Sequence, residues 1–424
     1  MGAPRIPLAM AKKPIAGRFS FLGLLLLTGL TPGSAVASSP LTIERALRMA
    51  GEYAPLQREL RAEVDLAESR ALGASLWPNP RMDLSQERFS VDGSDTTQRF
   101  YSLSQEFDLS GQRALRIRAA RIRTEGVRRG NEWTRLERRA RVRERFYAVL
   151  VQQRRVAALR ESLDRLDRVA GIVAERRRAG AASGYDQRRL ERERAALKAR
   201  LRQARAERER AWSALRALMP ESAALPEQVA GNLRPGEVAS LARYREALNR
   251  RADLRRLQVE ARAAGLSRQA ANRAWIPDPT VGLGYTTVDQ PGGEGGGPLV
   301  ELAFPLPVFD RGQAQAAAAT ARQTRAEARY RRLLDRARAR VSGLWRQTRE
   351  LDAATTEFRQ QALAKSREVT KIAESAYRAG ELGILELLDA YRGQLDARLR
   401  ALEMASSARA SWIDLARTAG GARP

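Results

Sequence analysis

Beyond its first forty residues, the sequence presents the same landmarks twice in the same order. The pairs are Trp77-Pro78-Asn79-Pro80 with Trp275-Ile276-Pro277-Asp278-Pro279, Gly111-Gln112 with Gly312-Gln313, Ala179-Gly180 with Ala379-Gly380, and Trp212 with Trp412. The members of each pair lie about 200 residues apart, a period far longer than that of solenoid repeats. This spacing predicts a tandem duplication, with a first repeat over residues 38–222 and a second over 223–420.

The N-terminal segment has the composition of a secretory signal peptide. Lys12, Lys13 and Arg18 precede an apolar run over residues 19–30, and Ala35-Val36-Ala37 matches the small-residue pattern that signal peptidase accepts. The run is too short for a membrane-spanning helix, which needs about 20 apolar residues. We therefore expect residues 1–37 to be a signal peptide that is removed on export.

Each repeat has the same order of elements. Helical sequence comes first, a β-hairpin follows at about 80–109 and 279–308, and a long helical hairpin completes the repeat at about 111–219 and 312–418. Along the first rod, apolar residues step by four and three and predict a heptad seam: Leu159, Leu163, Leu166, Ala170 and Val173. If most of the stretch from Gly111 to Arg178 is one helix, its length approaches about 100 Å, at about 1.5 Å per residue.

The two hairpins have the alternation of membrane strands. Leu103 and Phe107 alternate with polar residues in the first repeat, and Leu283 and Tyr285 alternate with glycines in the second. Strands of about ten residues match the thickness of an outer membrane, although a hairpin on a soluble core is the alternative. The glycine-rich segment 291–298 is expected to be a surface loop. Since even a small barrel needs about eight strands, several copies must share one, and three copies would supply twelve.

Composition argues against several classes of protein. The chain has 76 Lys and Arg against 49 Asp and Glu, but the arginines are spread through Glu-containing helices of an exported chain, so we do not expect nucleic-acid binding. There is no histidine and no cysteine. A Ser-His-Asp or Cys-His catalytic site is therefore impossible, and a tight zinc or copper site is not expected. We expect no enzyme activity and no cofactor.

The strand-to-rod junction of the second repeat, from Phe304 to Gln313, reads FPLPVFDRGQ. With the doubled hairpin-and-rod order and the proline turns after Trp77 and Trp275, this junction resembles the outer-membrane efflux proteins of the TolC type. The resemblance covers essentially the whole chain after the signal peptide. The segment LPVFDRGQ is more similar to the heavy-metal branch of that family, the CzcC type, than to the drug-exporting branch.

This resemblance implies a mainly α fold with a small membrane β-barrel. Three copies would form a homotrimer, with a 12-stranded barrel in the outer-membrane lipid above an α-helical periplasmic tunnel. The implied partners are a periplasmic adaptor (membrane fusion) protein and an inner-membrane resistance-nodulation-division pump that supplies the energy. The expected function is passive, gated export of heavy-metal cations. Export of drugs or other small organics by the same duct, and a periplasmic coiled-coil protein without a pore, are the alternatives.

The resemblance also assigns residues at the rod tips. Asp186, Glu386 and Asp389 match acidic positions that narrow the periplasmic mouth, and Tyr377 matches one that helps to hold it closed. Glu386 and Asp389 are three residues apart on one helical face, where three copies would form rings that attract cations. The alternatives are that Asp186 forms a capping box with Ser183 and that the other two simply face water.

Two further expectations concern the turns themselves. Gly180, Gly184, Gly380 and Gly383 are expected to contact the adaptor because bare backbone permits close approach, although reversing the chain also favours glycine. Where the family has a basic residue after the tip glycine this chain has Leu382. Arg378 is therefore one candidate for the basic partner of Tyr377.

Overall fold

The computed structural model describes residues 39–421 apart from residues 92, 181 and 224, so the expected signal peptide at 1–37 lies outside the described residues. The elements, in chain order, are α1 (Ile43–Gly51), α2 (Ala54–Gly73), β1 (Arg81–Val91), β2 (Ser94–Glu106), α3 (Gln112–Arg178), α4 (Gly184–Arg216), α5 (Leu241–Ala247), α6 (Ala252–Ala271), β3 (Thr280–Gln290), β4 (Gly293–Ala303), α7 (Gln313–Phe358), α8 (Ala364–Ala379) and α9 (Ile384–Thr418).

Two long helical hairpins make up most of the fold. In the first, α3 runs unbroken for 67 residues and α4 returns alongside it. In the second, α7 continues through a π-helical turn at Arg359–Leu363 into α8, and α9 returns. At about 1.5 Å per residue, α3 is about 100 Å long. Within the described residues, every helix falls short of the length or the apolar character that crossing a membrane requires.

The rods are held together by the predicted heptad seam. Leu159, Leu166 and Val173 of α3 are buried, with Leu163 and Ala170 packed against them. The same cluster includes Leu190 and Leu197 of α4 together with apolar residues of α8 and α9. Each fully buried side chain of this kind stabilises the fold by about 1.5–3 kcal/mol relative to an exposed one. The two repeats therefore share one apolar core along their rods.

Nearer the strands, four helices lie side by side in the order α2, α3, α6 and α7, and each contacts the next. The row takes two neighbouring helices from each repeat, since α2 and α3 come from the first and α6 and α7 from the second. Gly126 and Gly130 of α3 lie against Val259 and Arg256 of α6, which lets these two helices approach closely. The repeats are thus joined here as well as at the rods.

One antiparallel sheet of four strands, in the order β1-β2-β3-β4, joins the hairpins of the two repeats. β2 and β3 form the central pair, with Tyr101 opposite Tyr285 and Leu103 opposite Leu283. The outer edges of β1 and β4 pair with no strand in the described part of the chain. Unpaired edges of about ten residues leave two rows of backbone donors and acceptors open to another chain.

The two faces of the sheet differ in polarity. The strand register places on one face a group of exposed apolar residues: Met82, Leu84, Tyr101, Leu103, Leu283, Tyr285, Val300 and Leu302. The neighbouring positions, which point to the other face, include Asp83, Ser102, Ser104, Gly284 and Glu301. An apolar face that none of the described residues covers is unusual in water and suits contact with lipid.

The expected loop at residues 291–298 is wrong for most of that segment. β4 begins at Gly293, and Gly295, Gly296 and Gly297 pair with Val288, Thr287 and Thr286 of β3. Strand pairing uses only backbone groups, so glycines can continue a ladder whose register is set by the apolar residues that follow. Close approach favours glycine here, because a Cβ on Gly296 would lie 2.7 Å from the carbonyl oxygen of Thr286.

The strands join the rods through polar contacts between the repeats. The Oδ1 atom of Asp278, in the second repeat, accepts hydrogen bonds of 3.1 Å from the backbone N–H groups of Leu109 and Ser110, in the first. At the matching junction Gly312 has φ of 78°, and a Cβ there would lie 2.4 Å from the Cβ of Ala274. The GQ pair that begins each rod therefore marks a backbone position that only glycine fits well.

Candidate functional site

The tip of the first rod is closed by a capping box at the start of α4. The Oγ atom of Ser183 accepts a hydrogen bond of 3.2 Å from the Asp186 N–H, and the Asp186 Oδ2 atom accepts one of 3.0 Å from the Ser183 N–H. Gly180 turns the chain with φ of 73°. The Asp186 carboxylate is thus held by the backbone N–H and the hydroxyl of Ser183, as one of the sequence alternatives predicted.

The tip of the second rod has the same arrangement of turn and helix but lacks the capping box. Gly380 ends α8 with φ of 84°, and Gly383 occupies the N-cap of α9, where it offers no side chain to accept a hydrogen bond. Glu386 stands at the position of Asp186 in the repeat, and its Oε2 atom lies over Gly383. Glu386 therefore keeps an exposed carboxylate at the N-terminal end of α9.

Packing decides which way the acidic residues of α9 point. Ile384, Leu387 and Leu388 are buried in the apolar core of the rods. Glu386 lies between Ile384 and Leu387 in the sequence, and Asp389 follows Leu388. Both acidic residues are exposed and share the opposite face of the helix. Either a pore or bulk solvent can lie against that face, so the role of this pair stays a prediction.

An arginine from the first repeat links the two tips. The Arg176 guanidinium lies over the Tyr377 ring, 4.8 Å from its centroid, and donates hydrogen bonds to the carbonyl oxygens of Tyr377, at 3.0 Å, and Arg378, at 3.3 Å. Tyr377 is 4% exposed. Burial raises the pKa of the Tyr377 hydroxyl, Arg176 opposes that rise, and Asp186 adds to it.

This link differs from the sequence prediction. Arg378 was the candidate partner because it adjoins Tyr377, but its side chain is exposed and the cation on the ring belongs to Arg176. Arg176 lies about 200 residues from Tyr377 in the sequence. The contact between them could be predicted only from the way in which the two rods pack. The geometry brings Asp186 and Tyr377 to one place at the tip.

An ion pair also links the two hairpins, about two turns from the tip. The Glu193 carboxylate of α4 accepts a hydrogen bond of 2.9 Å from the Nε atom of Arg392 in α9. The hydrogen bonds from Arg392 hold the pKa of Glu193 below its usual range, and Glu193 in turn raises the pKa of Arg392. The link fixes the register of the two returning helices beside the acidic residues.

No group of three or more His, Cys, Asp or Glu side chains that could hold a metal ion occurs among the described residues. The acidic side chains of one chain's tip are spread over two helices, with Asp186 on α4 and the other pair on α9.

Comparison with known proteins identifies the family to which this chain belongs. A family described as "Outer membrane efflux protein" matches residues 47–220 and 243–421, which is most of the chain, and the chain belongs to that family. The family matches the chain twice, once in each repeat.

The chain is also similar to individual proteins. It is 28% identical over 378 residues to the cobalt-zinc-cadmium resistance protein CzcC of Cupriavidus metallidurans, covering 86% of this chain and 87% of that protein. A structure of CusC, from work on folding and transmembrane channel formation, superposes with a TM-score of 0.74 at 16% identity, over 90% of this chain and 92% of that one. The CmeC outer membrane channel of Campylobacter jejuni gives 0.73 at 16% identity, over 89% and 85%.

These findings confirm the predicted TolC-type fold and the resemblance on which it rested. The protein is an outer-membrane efflux channel subunit, of a family whose members are channels rather than enzymes.

Proposed function

We propose that three copies of this chain close a shared barrel in the outer membrane and a helical tunnel in the periplasm, through which solutes leave the cell. The sheet carries this proposal: four strands have two open edges and one uncovered apolar face. Pairing β4 of one copy with β1 of the next removes both open edges, and closure puts the apolar face toward lipid. Three copies supply the twelve strands that such a barrel needs.

The rod tips are the proposed contact with a periplasmic adaptor, which joins the duct to an inner-membrane resistance-nodulation-division pump. Gly180, Gly184, Gly380 and Gly383 are all exposed. A Cβ added at Gly180 or Gly184 would meet nothing within 4 Å, so the space above this backbone is open to a partner. The duct itself supplies a route and a gate, and the pump supplies the energy.

Heavy-metal cations are the proposed cargo, because the chain is similar to a cobalt-zinc-cadmium resistance protein over most of its length. A strain lacking this gene is expected to lose tolerance to salts of these metals while its tolerance to drugs stays unchanged. Growth across a series of metal and drug concentrations measures both, and complementation with the intact gene is the control. Drug sensitivity with normal metal tolerance would contradict the cargo and favour export of small organics.

Asp186, Glu386, Asp389 and Tyr377 are the proposed constriction of the periplasmic mouth. In a trimer, Glu386 and Asp389 would form rings of like charge that repel one another unless a divalent cation bridges them. Asp186, tied into its capping box, would contribute charge from a fixed position.

Divalent cations on the tip side are therefore expected to block the conductance of the reconstituted trimer. We expect E386Q/D389N to weaken this block by roughly tenfold, about 1.4 kcal/mol, because it removes the exposed carboxylates without altering the buried face of α9. The measurement is a titration of the single-channel current. The matched control is E381Q, which removes an exposed carboxylate from the turn itself. Equal block in the double variant and the unmodified protein would remove both residues from the gate.

A further inference from the structure

A cavity of about 710 Å³ lies beneath the sheet, against the row of helices α2, α3, α6 and α7. All four helices contribute to its walls, including α2 and α7, which stand at opposite ends of the row. A row of helices can place both of its ends around one cavity only by curving toward it. The cavity is therefore on the concave side of the row.

The concave side becomes the inside of the tunnel when copies of the chain close into a ring. Alanines make up about half of the cavity wall, so the helices present a smooth surface there. The charged side chains that reach the cavity are Arg70 of α2, Arg116 and Arg123 of α3, and Arg322 of α7. We call these four residues the arginine belt.

The arginine belt has no counter-charge. None of the residues that line the cavity is Asp or Glu. The hydrogen-bond acceptors of the belt are neutral: Arg116 donates to the Gln112 side chain at 2.7 Å, and Arg123 to the Ser267 hydroxyl at 2.6 Å. Across the described residues, no ion pair involves any of the four arginines.

The acidic residues nearest to the belt in sequence are already engaged elsewhere. Glu68, two residues before Arg70, pairs with Arg128 at 2.7 Å. Glu125, two residues after Arg123, pairs with Arg129 at 3.4 Å. Burial and the repulsion from Arg322 lower the pKa of Arg123, although a guanidinium stays charged throughout the physiological range. The cavity therefore keeps four positive charges from each copy.

We propose that the arginine belt makes the upper tunnel, where the rods begin below the barrel, an anion-selective segment. This inference rests on the proposed channel. A ring of guanidinium groups lowers the energy of an anion in the tunnel and raises that of a free cation, over a range set by the Debye length of about 8 Å at physiological salt. Small anions and anionic metal complexes are the ligands that this segment favours, and bare divalent cations are the species it opposes.

The proposal places different charged groups at the two ends of the tunnel. The tips carry exposed carboxylates on α9, whereas the segment beneath the barrel carries only guanidinium groups. A cation that has passed the tip would cross the belt together with anions, as a neutral or anionic species. The basic surplus of the sequence thus has, in part, a definite location in the tunnel.

The test is the reversal potential of the reconstituted trimer in a planar bilayer that separates two KCl concentrations. We expect chloride to be more permeant than potassium, and R116Q/R123Q/R322Q to reduce the permeability ratio by about threefold or more. R322Q alone should give a smaller change in the same direction, which keeps the test decisive if the triple variant assembles poorly. Potassium preference, or an unchanged ratio in both variants, would overturn the proposal.

A matched control removes three arginines from the other side of the same helices. Arg118 and Arg121 of α3 and Arg331 of α7 are exposed and lie away from the cavity, at 100° per residue around the helix. R118Q/R121Q/R331Q changes the net charge equally and should leave the ratio unchanged. An equal fall in this control would show that overall charge, rather than the belt, sets selectivity. Unmodified protein that conducts nothing would instead contradict the channel proposal itself.

Discussion

Leu103→Arg is expected to abolish accumulation of the protein in the outer membrane. Leu103 is 56% exposed in the middle of the apolar face, between Met82 and Leu283 on the neighbouring strands. An arginine facing lipid near the middle of a bilayer costs about 2–4 kcal/mol, and a trimer would carry three. The amount of protein in isolated outer membranes, determined by immunoblot, measures the effect.

The adjacent residue provides the matched control. Ser102 points to the opposite face, where its cross-strand neighbours are Asp83 and Gly284. An arginine at 102 gains a nearby carboxylate and faces water if that side lines the barrel. We expect S102R to accumulate normally. Equal accumulation of both variants, or loss of S102R alone, would show that the apolar face does not meet lipid.

Arg176→Ala is expected to open the periplasmic mouth. The arginine joins the two rod tips through the Tyr377 ring and two backbone carbonyl groups. A partly desolvated contact of this kind contributes about 1–2 kcal/mol. Losing it would shift the ratio of closed to open tips by roughly five- to thirtyfold. The open probability of single channels in a planar bilayer measures this shift.

Arg378→Ala separates this link from a general effect of charge. Arg378 adjoins Tyr377, but its exposed side chain takes no part in the link, which uses only its carbonyl oxygen. R378A should leave the open probability unchanged, and Tyr377→Phe should retain most of the closed state because the ring remains. An effect of R378A as large as that of R176A would contradict the assignment of Arg176.

Much of this architecture follows from periodic features of the sequence. The heptad spacing from Leu159 to Val173 predicts the buried seam, because burial on a helix follows a period near 3.5 residues. The alternation around Leu103 and Leu283 predicts strands with one apolar face, because side chains of a strand alternate between faces. Ser183 and Asp186 predict the cap by spacing alone. In each case the interaction is local or repeats along one element.

The contacts that the sequence did not predict join distant parts of the chain. Arg176 contacts Tyr377 because the two rods pack side by side. The sequence of neither segment indicates which residue of the other it will contact. The strand at Gly293–Ala303 continues through glycines that read as a loop, because its partner strand supplies the register. The arginine belt gathers residues of α2, α3 and α7, whose common face is defined only when the row of helices curves.

Disulfide cross-linking between the two edge strands tests the shared barrel most directly, since the chain has no cysteine of its own. Ser85 of β1 and Gly297, Leu299 and Glu301 of β4 all lie on the face opposite the apolar one, but at opposite edges of the sheet. We would combine S85C in turn with G297C, L299C or E301C and oxidise membranes. At least one pair should give a ladder of cross-linked chains that ends at three. Single chains throughout, or a ladder that continues beyond three, would contradict a barrel closed by three copies.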